Sequence, residues 1–501
     1  MHAKVLSVTA VGLQTLTIEV EVNAGRGKPG IGIVGLPSKA VQESQDRVKT
    51  ALQNCGIHFP AKKITINLAP ADISKEGPSF DLPIALGILE SFDIFQIPNP
   101  DSIAFVGELS LLGELRKTKG VLPYVLHARE KGFKSIVIPY QNAEEVNIIS
   151  GITIIPVKHI AELIAHFQNS EPLTILSPQP FQQSFSDQPI IDFAHVHGQY
   201  QAKRALEIAA AGGHNILMNG SPGSGKSMLA QALNSILPAM TETEVVEVTT
   251  IYSVAGLADQ GLIRSRPFRS PHHTISQVGL IGGGSKLRPG EISLAHRGIL
   301  FLDEFPEFSH SAIEALRQPL EDHVVNISRA SGSVRYPSNF TLVAAANPCP
   351  CGYALSKKRT CNCSQLQLER YEKKLSGPIL DRIDLHVRVQ EVEVKDLAQQ
   401  DDTQRENSKS IQERVNSARQ IQLKRYQELT YLTNSELSSQ IVKTHCVMTE
   451  DAKNTLQQAV EKLHLSARSY FKMVKVAQTI ADLANHDRIE LEHVAEALQY
   501  R

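Results

Sequence analysis

Tryptophan is absent from this 501-residue chain, and aromatic residues make up only 5% of it. No apolar stretch reaches the roughly 18 residues that a membrane-spanning helix needs, so a helical membrane protein is not expected. Net charge is scarce as well. The 51 lysines and arginines stand against 52 aspartates and glutamates, a formal −1. With no global basic excess, any nucleic-acid contact has to come from local patches. Six cysteines in a long chain do not suggest a disulfide scaffold. The N-terminus, MHAKVLSVTAVG, lacks a charged segment followed by an apolar one. No signal peptide is expected, and the cytoplasm is the expected location.

The composition that remains is that of a soluble globular protein, 42% hydrophobic and 21% charged. The length suggests about three domains. Residues 1–167 alternate strand-like and helical patterns, with apolar alternation from Val5 to Val22, a helical stretch from Ser38 to Cys55 and strands at Lys63–Leu68 and Lys134–Pro139. Residues 168–189 are rich in serine, proline and glutamine and read as a linker, or else as an ordered surface strap. Strand–helix alternation returns over 190–395. Helical periodicity then runs from 396 to 501.

The chemistry lies in the third of these stretches. Gly220-Ser221-Pro222-Gly223-Ser224-Gly225-Lys226-Ser227 fits G-x-x-x-x-G-K-[ST], with a strand-like run before it and a helical run after it. Glycines at those positions let backbone N–H groups converge on a phosphate, and a helix N-terminus adds partial positive charge. Lys226 is expected to reach the β- and γ-phosphates of ATP, and Ser227 to hold Mg²⁺. Downstream, the apolar run Gly298–Leu302 delivers Asp303 and Glu304. Asp303 is expected to hold Mg²⁺ through water, and Glu304 to activate the attacking water as general base. A further strand, Phe340–Ala346, ends at Asn347. Its amide can orient the lytic water, or simply turn the chain before Pro348.

These segments resemble those of the magnesium-chelatase-like AAA+ ATPases, and the whole chain is similar to the YifB/ComM family. The resemblance rests on RPFRSPHHTIS (266–276), GGG (282–284), RPGEISLAHRGILFLDEFPEF (288–308), NPCPCGY (347–353) and SGPILDRIDL (376–385). It implies an α/β fold in three parts: an N-terminal S5/Lon-like α+β domain, a central AAA+ P-loop core of the helix-2-insert clade and a C-terminal helical lid. It also implies that Asn347 is the sensor-1 residue. Arg382, which read alone between two aspartates is a surface ion pair, becomes the arginine finger that reaches a neighbour's nucleotide in a ring. Arg468 becomes the sensor-2 residue, although Lys475 and Gln478 stand where the family pattern has arginine.

In the N-terminal part, Lys75-Glu-Gly-Pro-Ser79 and Val106–Gly113 resemble the Lon-type segment that carries a nucleophilic serine. A serine nucleophile needs a base within hydrogen-bond reach. The position at which the Lon pattern places its lysine holds Leu122, which cannot take a proton. Lys117 and Lys119 are out of register. A Lon-like domain without peptidase activity is expected, with Ser79 a turn residue.

Cys349-Pro-Cys351 and Cys361-Asn-Cys363, nine residues apart, could form a structural zinc site or remain four reduced thiols in a loop. Two windows, Gly261–Gly290 and Val324–Thr341, contain no acidic residue. The second reads as a hairpin. By the resemblance they are the helix-2 insertion and the pre-sensor-1 hairpin, which face a ring pore. Lys286, Arg288, Arg329 and Arg335 are then candidates to grip a phosphate backbone. The alternative is that these cations pack against neighbouring subunits.

The expected protein is a homo-oligomeric ring, a hexamer, that uses ATP and Mg²⁺ to move along single-stranded or branched DNA, as in recombination or natural transformation. A protein-remodelling or chelatase-type motor and an ATP-dependent peptidase are the competing readings.

Overall fold

The computed structural model describes residues 2–501 except 73, 74, 76, 169, 170, 183–190, 260, 285, 286, 330, 331, 357, 358, 376, 392–405 and 430. The first unit is a seven-stranded sheet. Its strands are β1 (His2–Val11), β2 (Gln14–Gly25), β3 (Gly30–Val34), β4 (Lys63–Ala69), β5 (Ile103–Phe105), β6 (Ser135–Pro139) and β7 (Thr153–Val157), in the spatial order β3-β4-β2-β1-β5-β6-β7. Strands β1 and β2 form an antiparallel hairpin closed by Gly12 and Leu13, with Gly12 in the left-handed region at φ 62°. The period-2 pattern of Lys63–Ala69 buries every second side chain, as strand alternation requires.

Helices α1 (Ser44–Asn54) and α2 (Asp81–Ser91) cover one face of this sheet. Helix α2 is apolar from Leu82 to Leu89 and buried throughout that run, and its first residue, Asp81, is buried in an ion pair with Arg47 at 2.9 Å. On the other side, α3 (Val121–Glu130) is followed in the chain by α4 (Ile160–Phe167) on the first face. The described part of the expected linker, 171–182, lies along the sheet as a strap. Leu176 N–H donates to the Ile154 carbonyl at 2.9 Å, and Gln179 N–H to the Asn147 carbonyl at 2.8 Å. Leu176 and Phe181 supply the apolar contacts that hold a polar segment down.

The second unit carries helices α5 (Tyr200–Gly212), α6 (Lys226–Ile236), α7 (Glu242–Ala255) and α8 (Gln277–Ile281). Its sheet is built from β8 (Ile216–Asn219), β9 (Phe268–Arg269), β12 (Ile299–Leu302), β15 (Thr341–Ala346) and β16 (Leu385–Arg388), all parallel, in the order β9-β12-β15-β8-β16. Two ribbons stand apart from it. One pairs β10 (Gly282–Gly283) with β11 (Arg288–Pro289). The other pairs β13 (Val324–Arg329) with β14 (Gly332–Pro337).

The third unit is helical: α9 (Ser408–Arg425), α10 (Glu450–Lys462), α11 (Ala467–Leu483) and α12 (Leu491–Ala497). Thr449 and Ser466 cap α10 and α11 by accepting from Ala452 and Ser469 N–H. The alanine-rich helix α5 is buried from Ala205 to Gly212, between the parallel sheet and the C-terminal helices. Among the described residues, no helix is long and apolar enough to cross a membrane.

The first and second units share a core. Val121, Tyr124 and Val125 of α3 pack with Met240, Val245 and Val248 at and before α7. Lys117, out of register for catalysis, donates from Nζ to the Ala258 and Asp259 carbonyls at 3.0 Å. The Gly12–Leu13 turn meets the β13–β14 ribbon, where a Cβ on Gly12 would lie 2.1 Å from Val334 Cγ1.

Candidate nucleotide-binding site

The register of the parallel sheet assembles the phosphate site. Asn219 at the end of β8 lies opposite Ala346 at the end of β15, and Leu302 of β12 lies opposite Ala344. The segments Gly220–Ser227, Asp303–Glu304 and Asn347 therefore leave the sheet at one edge, the carboxyl edge where open α/β sheets bind ligands. Gly225 caps α6 at φ 92°, and a Cβ on Gly220 would lie 2.4 Å from the Val389 carbonyl oxygen. A left-handed turn and a close backbone approach are what reserve these two positions for glycine.

Lys226 Nζ donates to the Gly220 and Ser221 carbonyls at 2.6 and 3.0 Å and to Asn347 Oδ1 at 3.2 Å. Burial lowers its pKa, opposed by the carboxylates of Asp303 and Glu304. Ser227 Oγ donates to Asp303 Oδ2 at 2.9 Å. A hydroxyl and a carboxylate held this close are a fitting oxygen pair for a hard cation such as Mg²⁺. Glu304 sits at φ 51°, in the left-handed region that costs a non-glycine residue about 1 kcal/mol or more. Its N–H donates to Asp303 Oδ1 at 2.9 Å.

His273 belongs by sequence to the basic window, yet it joins Glu304 at the carboxyl edge of the sheet. Its Nδ1 lies 3.2 Å from Glu304 Oε2, and its ring stacks on His272 with centroids 4.1 Å apart. The strand order carries the signal. Because β9 runs parallel beside β12, the residues after Arg269 emerge at the same edge as Asp303 and Glu304.

Beside the phosphate loop opens a cavity of about 560 Å³, with Pro222, Gly223 and Met228 on one side and His195, Val196 and Tyr353 among its other walls. The four expected cysteines come together. Cys349 Sγ lies 3.3 Å from Cys351 Sγ and 3.7 Å from Cys361 Sγ, and all four sulfurs fall within 4.8 Å of one another. Four thiolates at about 2.3 Å from one zinc ion would be separated by about 3.8 Å, so the cluster fits that ion. The Tyr353 backbone N–H pulls the Cys351 thiol down to about 6.

Arg382 and Arg468 are brought together, but not at the phosphate loop of their own chain. Both pair with Glu321, Arg382 at 2.9 Å. Asn215 Nδ2 donates to the Arg382 carbonyl at 3.2 Å. Asn215 precedes β8, whereas the phosphate loop follows it. A four-residue strand at about 3.3 Å per residue puts roughly 13 Å between the two ends. The two arginines line a separate cavity of about 600 Å³, together with Lys472 and Lys475.

The basic windows divide. Arg266 pairs with Glu244 at 3.0 Å, Arg269 with Glu291 at 2.6 Å, and Arg264 donates to the Gln182 carbonyl. These three are tied within the chain to acids or a carbonyl outside their window, so they are not a free phosphate grip. Arg288, Arg329 and Arg335 are exposed. Lys286 lies outside the described residues. The ribbons pack on each other: Tyr336 OH donates to the Leu287 carbonyl at 2.8 Å, and Arg329 reaches to within 3.7 Å of a Cβ built on Gly283.

In the first unit, Ser79 is 4% exposed and its hydroxyl engages that of Tyr124. Leu122 is fully buried, and its N–H donates to Glu145 Oε1 at 3.2 Å.

Residues 192–397 match the family described as magnesium chelatase, subunit ChlI, with further matches to subunit ChlI of Mg-chelatase over 20–142 and to its C-terminal part over 405–501. The competence protein ComM of Haemophilus influenzae is 42% identical over 503 aligned positions, covering 100% of this chain and 97% of the relative. This chain belongs to the YifB/ComM family of magnesium-chelatase-like AAA+ ATPases. YifB of Salmonella typhimurium, itself uncharacterized, is 40% identical over 98% of this chain and 95% of its own length. A partial match, 34% identical over 30% of this chain and 29% of the relative, is to Lon protease 2 of Bacillus subtilis. It agrees with the Lon-like N-terminal region.

Proposed function

We propose that this member of the family is an ATP-driven ring motor that grips DNA with its two ribbons and works in the cytoplasm. The observation that carries the reading is the set of exposed cations, Arg288, Arg329 and Arg335, on two ribbons packed against each other. The relative named a competence protein supports an action on DNA.

In this reading Lys226 and the amides of Gly220–Ser227 hold the phosphates of ATP, and Ser227 with Asp303 holds Mg²⁺. The metal supplies charge neutralisation at the phosphates. Glu304 accepts the proton of the attacking water, and His273 fixes the direction of its carboxylate. Asn347, already hydrogen-bonded to Lys226, orients that water. Arg382 and Arg468 serve a neighbour's nucleotide from the opposite end of the sheet, with Glu321 holding them until a neighbour arrives. That division makes a ring, a hexamer, the active form. The four cysteines hold a structural zinc ion. Residues 1–167 act as a Lon-like domain without peptidase activity, joined by 168–189 to the ATPase core at 190–395 and the lid at 396–501.

The test is ATPase rate with and without forked DNA, beside DNA binding across a salt series. Replacing Arg329 and Arg335 with alanine should weaken binding about equally across sequences. It should also reduce the slope of log affinity against log salt by roughly one unit for each phosphate that is no longer neutralised, with basal ATPase retained. Unchanged affinity and slope would remove the ribbons as the grip. Stimulation by a protein partner and not by DNA would favour a remodelling or chelatase-type motor.

A further inference from the structure

The cysteine loop reaches beyond its own sulfurs. Gly352 leaves the cluster at φ 83°, and a Cβ built on it would lie 2.6 Å from Cγ and Cδ of Pro222. The loop is therefore pressed against the phosphate loop at a point where only glycine fits. Past that contact, Tyr353 and Arg359 line the same 560 Å³ cavity as Pro222, Gly223 and Met228. Arg359 Nη1 donates to Tyr353 OH at 2.8 Å, and its guanidinium carbon stands 5.1 Å from the tyrosine ring centroid. The pair presents one aromatic edge and one fixed cation to the cavity. The rest of the lining is part apolar, from Val196, Met228 and Leu229, and part imidazole, from His195 and His197. A planar, half-apolar group with hydroxyls beside it is what such walls accept. Lys226 and Asn347 take the phosphate end.

The chemistry of the loop explains how these two side chains can be held there. Tyr353 and Arg359 both lie in the nine-residue span between Cys351 and Cys361. That span lacks a helix or strand among its described residues. Two turns within it are closed by Ser356 N–H on the Tyr353 carbonyl at 3.0 Å and Arg359 N–H on Ser356 Oγ at 3.2 Å, and its two ends are anchored by the sulfur cluster, with Ala354 N–H donating to Cys349 Sγ at 3.3 Å. Tying both ends of a short loop to one ion removes most of the conformations in which its middle would leave the cavity.

We infer that the cysteine loop is a wall of the nucleotide pocket, that Tyr353 and Arg359 contact the nucleoside of bound ATP, and that zinc on the four thiolates keeps them in place. The last clause rests on the zinc reading above. The loop thereby sets nucleotide affinity, while the chemical step belongs to Glu304 and its partners.

The experiment uses the full chain. Zinc per chain is measured by atomic emission, and the affinity for a fluorescent ADP with Mg²⁺ present is measured by anisotropy. The variants are Arg359→Ala and the double variant Cys361→Ser/Cys363→Ser, with Lys226→Ala as the control for nucleotide binding itself. Arg359→Ala should keep its zinc and bind ADP about 10-fold more weakly, the scale of one charge-assisted hydrogen bond. The cysteine variant should lose zinc and weaken binding by a similar factor, with an unchanged far-UV spectrum. Should that variant not fold, zinc is stripped from the wild type by a chelator, Mg²⁺ is returned, and affinity is read on the same protein. An Arg359→Ala affinity within twofold of wild type would overturn the nucleoside contact. Bound zinc whose removal leaves affinity unchanged would overturn the coupling. A wild type without zinc would overturn the zinc clause and leave the Arg359 result to decide the wall. A wild type that binds no ADP would overturn the ATPase reading itself.

Discussion

Two regions of this chain carry a glycine turn, a lysine and a hydroxyl within one short motif, and their surroundings differ. At Gly220–Ser227, Lys226, Asp303 and Asn347 sit within 3.2 Å of a hydrogen-bonding partner inside the site, and a cavity opens beside them. At Lys75–Ser79, the serine is buried against Tyr124, and Lys75 is itself buried with its ammonium on the Pro70 carbonyl. Leu122, which cannot take a proton, is fully buried. A motif of the right composition is converted into a site by what surrounds it. In the ATPase unit, three parallel strands end at one edge and supply three different groups. In the first unit, the corresponding helix α3 is packed against α7 of the ATPase.

The largest effects should come from disabling the assembled site. Lys226→Ala is expected to abolish ATP binding. Glu304→Gln should keep binding but hydrolyse at least about 100-fold more slowly, the scale of removing a general base. Single-turnover hydrolysis beside nucleotide titration separates the two, and near-normal turnover in Glu304→Gln would remove that residue from its role.

Trying to restore the unassembled site should give the opposite result. Leu122→Lys places an ammonium in a fully buried position and is expected to cost about 3 kcal/mol in a denaturant titration. It should yield no peptide cleavage, and Ser79→Ala should leave the ATPase rate unaltered. Cleavage of a fluorogenic peptide by wild type that disappears in Ser79→Ala would reverse the contrast between the two regions.

A third experiment applies the same contrast within the ATPase unit, between the two ends of β8. Because Arg382 lies at the end away from the phosphate loop, Arg382→Ala and Lys226→Ala chains should each be inactive. Their mixture should regain a few tenths of wild-type activity through the interfaces at which intact halves meet. Mixed rings shown by native mass spectrometry but lacking any rescue would count against action in trans.

The smallest effect concerns the helix that joins the two regions. Glu247 on α7 is held down to about 2, chiefly by the hydrogen bond from His296, with Arg297 adding to it against the cost of burial. A carboxyl with a folded value below its unfolded value of about 4.5 stabilises fully above that pH, and this contribution is lost as pH falls from about 4.5 towards 2. The melting-temperature gap between wild type and Glu247→Gln should therefore be widest above pH 4.5 and close progressively below it. A gap that is constant across that range would show that the ion pair contributes nothing.

Much of the site was legible because its parts are local. A phosphate loop is one continuous turn, and a strand ending in Asp303-Glu304 carries its own apolar pattern. The four cysteines of one loop were also readable as a group, since nine intervening residues cannot take them far apart. The basic windows were harder. An acid-free stretch of sequence is not an acid-free region of space, and Glu244 and Glu291 neutralise Arg266 and Arg269 from outside the window. His273 could not be placed for the same reason, since its partner Glu304 arrives on a neighbouring strand.

Residue type and short-range spacing were enough to mark the phosphate-loop motif, the three-part alternation of patterns and a leucine at position 122. Only the folded chain settles which arginines stay exposed, that Arg382 and Arg468 share Glu321 at the far end of the sheet, and that the cysteine loop borders the cavity beside the phosphate loop. Those outcomes depend on strand order and on packing between segments distant in the chain, which no local pattern encodes.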